Sequence, residues 1–172
     1  MSQQSPLING YLACDHFLVK FLLNAASDCN IEGQYWIKKR FDNIAEEFLK
    51  SAAAFMLEFG LVAYTWDNLV EYHEAHSYGA KPVETGMGIH LDDCTGCNFK
   101  TYTLIIYAGE YTGGELGFYN HNDELVELID TRAAPGKYCF VIFRGDIPHN
   151  ANNVISGKRH ALSIQLPRTE KE

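Results

Sequence analysis

A chain of 172 residues that is 47% hydrophobic and 21% charged has the composition of an ordinary globular protein, and a domain of that size buries roughly 70% of its unfolded surface. The formal net charge of −8 argues against broad capture of nucleic acid, which needs clustered Lys and Arg to displace phosphate counterions. The stretch MSQQSPLINGYLACDHFLVKFLL lacks a basic start and is interrupted by Asp15, His16 and Lys20, so it reads as neither a signal peptide nor a membrane span, and a cytoplasmic or nuclear protein is expected.

Phe17, Phe21 and Ala25, four apart, predict an amphipathic helix over residues 11–28. A longer helix is predicted over 35–59, where Phe41, Ala45, Phe48, Ala52, Phe55 and Phe59 form one apolar stripe and Gly60 is placed to end it. From residue 61 the apolar period changes to two. Eight strand-like runs follow, at 68–75, 87–92, 101–108, 114–120, 124–131, 137–143, 149–154 and 159–166. Between them AGEYTGG, NHND, AAPG and ISGK have turn chemistry. Helices first and strands after predict a mostly β protein, a double-sheet jelly roll backed by two helices. Residues 1–60 would be the helical support and 61–167 the core of a single domain spanning 1–172, since no repeat or linker divides the sequence.

Five cysteines without framework spacing read as mostly reduced thiols. Cys94 and Cys97 form a C-x-x-C, but no second pair supplies the four ligands of a structural zinc, so the pair reads as a loop beside its polar neighbours. AKPVETGMG, 80–88, reads as a lid or as a long hairpin connection.

The polar neighbours are in GIHLDD, 88–93. On a strand, His90 and Asp92 share a face and Asp93 takes the other. An open metal site for oxygen chemistry takes two imidazoles and one carboxylate, so a third ligand has to come from a distant strand. RGDIPHNANNVISGKRHALSIQL offers His149, with Arg159 ten residues further on. Taken singly, His149 reads equally as a loop histidine, Arg159 as a surface charge and Tyr107 as a packed aromatic.

Taken together, HLD at 90–92, GGEL at 113–116, His149 and GKR at 157–159 make residues 65–167 resemble the Fe(II)- and 2-oxoglutarate-dependent dioxygenases, in their prolyl and lysyl hydroxylase-like branch. The resemblance implies a double-stranded β-helix core, in agreement with the strand count. It implies that His90, Asp92 and His149 bind Fe(II), and that Arg159 forks onto the far carboxylate of 2-oxoglutarate in a geometry Lys lacks. Tyr107 would add a hydroxyl to that carboxylate. The implied reaction consumes O2, releases CO2 and succinate, and hydroxylates a C–H bond of a peptidyl prolyl or lysyl residue or a free amino acid. The expected partner is therefore a peptide or a small molecule.

His73, His76, His121 and His160 lack matching partners and take no metal role, the first two being placed at the cavity mouth. Gly113 and Gly114 read as tight backbone passage. Many relatives carry Val and Pro at the second and fourth places after the distal histidine, where this chain has Ala151 and Asn153, a difference that bears on the pocket wall and hence on the substrate. Competing readings are a base-oxidising dioxygenase of the same chemistry, a cupin-like metalloenzyme without an oxoacid, and a non-catalytic jelly-roll binding module. The last two have no use for Arg159 and Tyr107. Halogenation is disfavoured, because a halide requires the place of Asp92.

Overall fold

Strands buried on both faces need apolar residues without alternation, and TYTLIIYA and KYCFVIFR are such runs. The computed structural model describes residues 7–28, 36–77, 88–93 and 100–168. In chain order the elements are β1 (Leu7–Ala13), α1 (Phe17–Asp28), β2 (Trp36–Phe41), α2 (Glu46–Leu57), β3 (Leu69–Ser77), β4 (Thr101–Ala108), β5 (Tyr111–Gly113), β6 (Leu116–Tyr119), β7 (Leu125–Ile129), β8 (Lys137–Arg144), β9 (His149–Ala151) and β10 (Val154–Pro167). The larger sheet has the order β1-β8-β4-β10-β3-β2, with β5 on β10, and a smaller sheet has the order β7-β6-β9. Every pairing is antiparallel. The protein is mostly β, a jelly roll with two helices, as expected.

Alternation along the central strands makes two cores. Phe140 and Ile142 of β8, Leu104 and Ile106 of β4, and Leu162 and Ile164 of β10 join one cluster with Leu18 and Leu22 of α1 and Leu49 and Met56 of α2. The opposite faces of the same strands send Val141, Phe143, Tyr107 and Ala161 toward Leu116 and Phe118 of the smaller sheet. Each fully buried large aliphatic contributes roughly 1.5–3 kcal/mol, an upper bound that takes an extended unfolded state. No helix among the described residues is long and apolar enough to cross a membrane.

The first sixty residues differ from the expectation of helical support. Residues 11–13 belong to β1, and 36–41 form β2, so the two helices begin at Phe17 and Glu46. The reason is tertiary: β1 pairs with β8 and β2 with β3, so that they become the two edge strands of the large sheet. Phe41 nonetheless lies against Phe21, ring centres 5.3 Å apart, so an aromatic at the right helical spacing finds the same core from a strand. The predicted stop holds. Gly60, at φ +79°, donates to Leu57 O while Leu61 N donates to Met56 O, the double bond of a glycine-terminated helix.

Two turn assignments also change. AGEYTGG contains β5, and ISGK lies inside β10, which pairs with β5 across an irregularity between Val154 and Ser156. The predicted strand 87–92 reduces, among the described residues, to one isolated bridge between His90 and His149. NHND is a turn as expected, closed by Asn120 Oδ1 accepting from the N–H groups of Asn122 and Glu124. Cys94, Cys97 and residues 80–87 lie outside the described residues.

Candidate metal centre

The bridge that replaces the predicted strand joins the two histidines directly. His90 N donates to His149 O and His149 N to His90 O, each at 3.0 Å. Both rings are then turned the same way by their own backbone. His90 Nδ1 lies 2.9 Å from Gly88 O and His149 Nδ1 lies 2.8 Å from Ile147 O. A ring nitrogen bonded to a carbonyl carries the proton, which leaves each Nε2 as a lone-pair donor. Asp92 Oδ1 lies 3.6 Å from His90 Nε2 and 3.3 Å from His149 Nε2.

One ligand atom from each of the three residues falls within 4.8 Å of the others. Atoms bound at about 2.1 Å to one ion, at right angles, would lie roughly 3 Å apart. The donor set therefore fits a divalent transition metal, and two neutral imidazoles with one carboxylate leave such an ion at net +1. Two nitrogens and one oxygen on one side is also the set used by open-sided non-haem Fe(II) sites.

Further residues hold the set in place. Thr103 Oγ1 on β4 donates to Asp92 Oδ2 at 2.5 Å, leaving Oδ1 for the histidines. Asp93 turns away from the site, as expected. It takes a bidentate bond from Arg168, Nη1 to Oδ1 at 2.9 Å and Nη2 to Oδ2 at 2.7 Å, and a third from Thr101 N. The N–H groups of Asp92 and Asp93 both donate to Gly145 O, and a Cβ at Gly145 would collide with Asp93 Oδ1. Sequence reasoning missed Thr103, Arg168 and Gly145. Only the proximity of Gly145 to His149 in the sequence hinted at any of them.

The same cavity, about 320 Å³, is lined by His90, Asp92 and His149 and, further along β4 and β10, by Tyr107 and Arg159. Arg159 is 5% exposed. Its Nη1 donates to Gly114 O at 3.0 Å, its Nε is buried without a partner, and no carboxylate among the described residues pairs with it. Gly114 stays bare for a reason: its φ is +70° and a Cβ there would lie 3.2 Å from that guanidinium. Its carbonyl is held in turn by Thr131 Oγ1, which lies 2.7 Å from the Tyr111 hydroxyl. Burial pushes the Tyr107 hydroxyl well above its ordinary value against the pull of Arg159, so it stays protonated, and no side-chain hydrogen bond engages it among the described residues. A buried cation that no carboxylate among the described residues balances is costly to keep.

The remaining candidates separate cleanly. His73 is in the cavity wall, whereas His76 is not among its lining residues. His160 faces the helix side of the sheet, 2.5 Å from the Tyr72 hydroxyl, and His121 is exposed in the 120–123 turn. Of the two departures after His149, Ala151 lines the cavity and Asn153 contributes its carbonyl to Gly114 N.

Comparison with solved structures decides the architecture. A prolyl-4-hydroxylase from Pseudomonas putida superposes with a TM-score of 0.57 at 16% identity, covering 94% of this chain and 92% of its own. A prolyl hydroxylase from Trichoplax adhaerens, solved with a peptide fragment of the hypoxia inducible factor oxygen degradation domain, gives 0.59 at 11% identity, covering 93% and 83%. The fold is that of the prolyl hydroxylases. A prolyl 4-hydroxylase from Phytophthora capsici shares it at 0.55 and 15% identity, over 88% of this chain and 54% of its own. No protein-family model matches the sequence, and no curated protein sequence does.

Proposed function

We propose that this protein is an Fe(II)- and 2-oxoglutarate-dependent oxygenase that hydroxylates a C–H bond, with His90, Asp92 and His149 as the iron ligands and Arg159 and Tyr107 as the cosubstrate seat. The observation that carries the reading is Arg159, a buried guanidinium with no counterion among the described residues, in the same cavity as a two-histidine, one-carboxylate cluster. A buried charge of this kind is unfavourable until an anion enters. A dicarboxylate with an oxoacid at one end meets both needs, its far carboxylate pairing with Arg159 and its near end reaching the metal ligands.

Iron bound there would supply the means to couple O2 to oxidative decarboxylation of the oxoacid. One oxygen atom leaves in succinate and the other enters the substrate as hydroxyl, with CO2 released, so 2-oxoglutarate provides the two electrons that the hydroxylation lacks. The protein's own part is positioning and exclusion. Carbonyl-bound Nδ1 atoms keep both imidazoles facing the ion, Thr103 fixes the carboxylate, and Tyr107 offers a proton donor to the cosubstrate carboxylate beside Arg159. Ile105, Leu116 and Ala161 give the cavity an apolar wall, which strengthens the charged contacts by keeping water out. A cupin-like centre without an oxoacid, or a binding module, leaves Arg159 unexplained. The substrate is a prolyl or lysyl residue of a peptide or a free amino acid.

The experiment is anaerobic addition of Fe(II) and 2-oxoglutarate, read as the visible metal-to-ligand charge-transfer band. The band should appear in the unaltered protein, be absent in His149→Ala, and require far more 2-oxoglutarate in Arg159→Ala. Tight iron binding with no response to 2-oxoglutarate would reject the cosubstrate assignment.

A further inference from the structure

The cavity holds a second pair of charges that neither the metal nor the cosubstrate uses. Register places it: Ser163 of β10 faces Glu71 of β3 and Ala161 faces His73, while on β2 Lys38 faces His73 in turn. These positions share the cavity face of the sheet with Arg159, and Glu71, His73, Lys38 and Trp36 all line the cavity.

Glu71 is only 8% exposed. Its Oε2 lies 3.1 Å from Lys38 Nζ, reached diagonally across the strand pair, and the Lys38 side chain is 44% exposed. Its Oε1 is 3.8 Å from His73 Nε2, beyond hydrogen-bond reach. Burial lowers the His73 imidazole below its ordinary value despite Glu71, so at neutral pH it brings no second positive charge. Arg40, directly opposite Glu71 in register, lies instead 3.7 Å from Asp42 at the surface. Glu71 is therefore a buried carboxylate with one half-exposed cation on one oxygen and, among the described residues, no hydrogen bond to the other. Such a group gains from a further donor.

On the hydroxylase reading, on which this inference rests, we propose that the prime substrate is a free α-amino acid, its ammonium seated on Glu71 and its carboxylate on Lys38. An α-amino acid carries one charge of each sign a few ångströms apart. Set antiparallel to the Lys38 and Glu71 pair, it completes a square of alternating charges and adds no net charge to the cavity. A residue within a peptide has neither charge at its Cα and leaves Glu71 as it is. A simple amine would compete with Lys38 without offering it a new partner, and a simple carboxylate would meet Glu71. Because Glu71 is the buried member and Lys38 the half-exposed one, the ammonium end lies deeper, with Trp36 beside His73 at the rim, ring centres 6.1 Å apart. Anchoring the head group on this wall presents the C–H bonds of the amino acid's side chain to the metal half of the same cavity.

The test uses the full-length protein with Fe(II) and 2-oxoglutarate. Under anaerobic conditions each free L-amino acid is titrated against the visible band, beside its N-acetyl and its carboxamide derivative, and succinate formation is then followed in air. At least one free amino acid should shift the band and accelerate succinate release, with capping of either end weakening the response about tenfold or more. Glu71→Gln and Lys38→Met should lose that response and keep the band. Should either variant fail to fold, the capped series on the unaltered protein decides. A band that forms but responds only to peptides, or equally to capped and free amino acids, or to no amino acid, overturns this inference and leaves the oxygenase reading standing. Failure to form the band removes the oxygenase reading, and this inference with it.

Discussion

At one end of the cavity the side chains that aim His90, Asp92 and His149 are themselves paired within the protein: both Nδ1 atoms with carbonyls, Asp92 Oδ2 with Thr103, and Asp93 with Arg168. At the other end, among the described residues, Arg159 has a bare Nε and no paired carboxylate, and Tyr107 has a raised hydroxyl pKa and no side-chain partner. The difference separates what the fold must hold rigid from what a ligand brings. A metal tolerates little displacement of its donors, so the protein commits hydrogen bonds to them in advance. On the proposed reading, the anion seat at Arg159 need only be cationic and dry, and its satisfaction can wait for the anion.

The strongest way to break this comparison is at the metal end. His149→Ala should abolish stoichiometric Fe(II) binding, measured by calorimetry under anaerobic conditions, because two of three ligands do not hold a labile divalent ion in place. Retained stoichiometric binding would mean that the three residues are not the centre. Next in size, Arg159→Ala should weaken 2-oxoglutarate about a hundredfold or more, the loss of a charge-assisted pair of hydrogen bonds at roughly 1.5–3 kcal/mol each, with Fe(II) affinity unchanged.

Stability in the absence of ligands sharpens the contrast by giving the two ends opposite signs. Asp93→Asn breaks the bidentate bond to the nearly buried Arg168 and should cost roughly 1–3 kcal/mol in urea denaturation. Arg159→Met removes a buried charge that no carboxylate among the described residues balances, and should leave the ligand-free protein equally stable or more so. A large loss in Arg159→Met would show that the guanidinium is a structural group. The smallest effect lies outside both ends. Burial lowers the His160 imidazole against the pull of Glu74, so as pH falls the unfolded state takes up the proton first. Stability from this group is complete above about pH 6.5 and is lost below it as the pH approaches the folded-state pKa. The urea midpoint should fall between about pH 7 and pH 5.5, and less steeply in His160→Gln.

Much of the centre was legible because its chemistry needs particular residue types. A two-residue spacing brought His90 and Asp92 together, although the backbone that does so is a single bridge and a bend, where a strand was expected. The supporting groups were not legible. Thr103 and Arg168 are ordinary members of a strand and of the segment after β10 until the roll lays them beside GIHLDD, and nothing local marks them. The misread segments have one cause as well. Residues 11–13 and 36–41 carry residues compatible with a helix, and only hydrogen bonds to β8 and β3, from far along the sequence, make them strands.

By itself the sequence determined the apolar runs, and hence two helices laid on a strand-rich body, together with the identities of the side chains proposed to ligate a metal and to seat a carboxylate. Those are properties of residue type and short-range period, which no folding event alters. Tertiary structure decided which of seven histidines meet, which carboxylate turns inward, and that Lys38 and Glu71 share a wall with Arg159. Distances between residues remote in sequence are set by strand order and register, and antiparallel pairing across a sheet has no counterpart in local spacing.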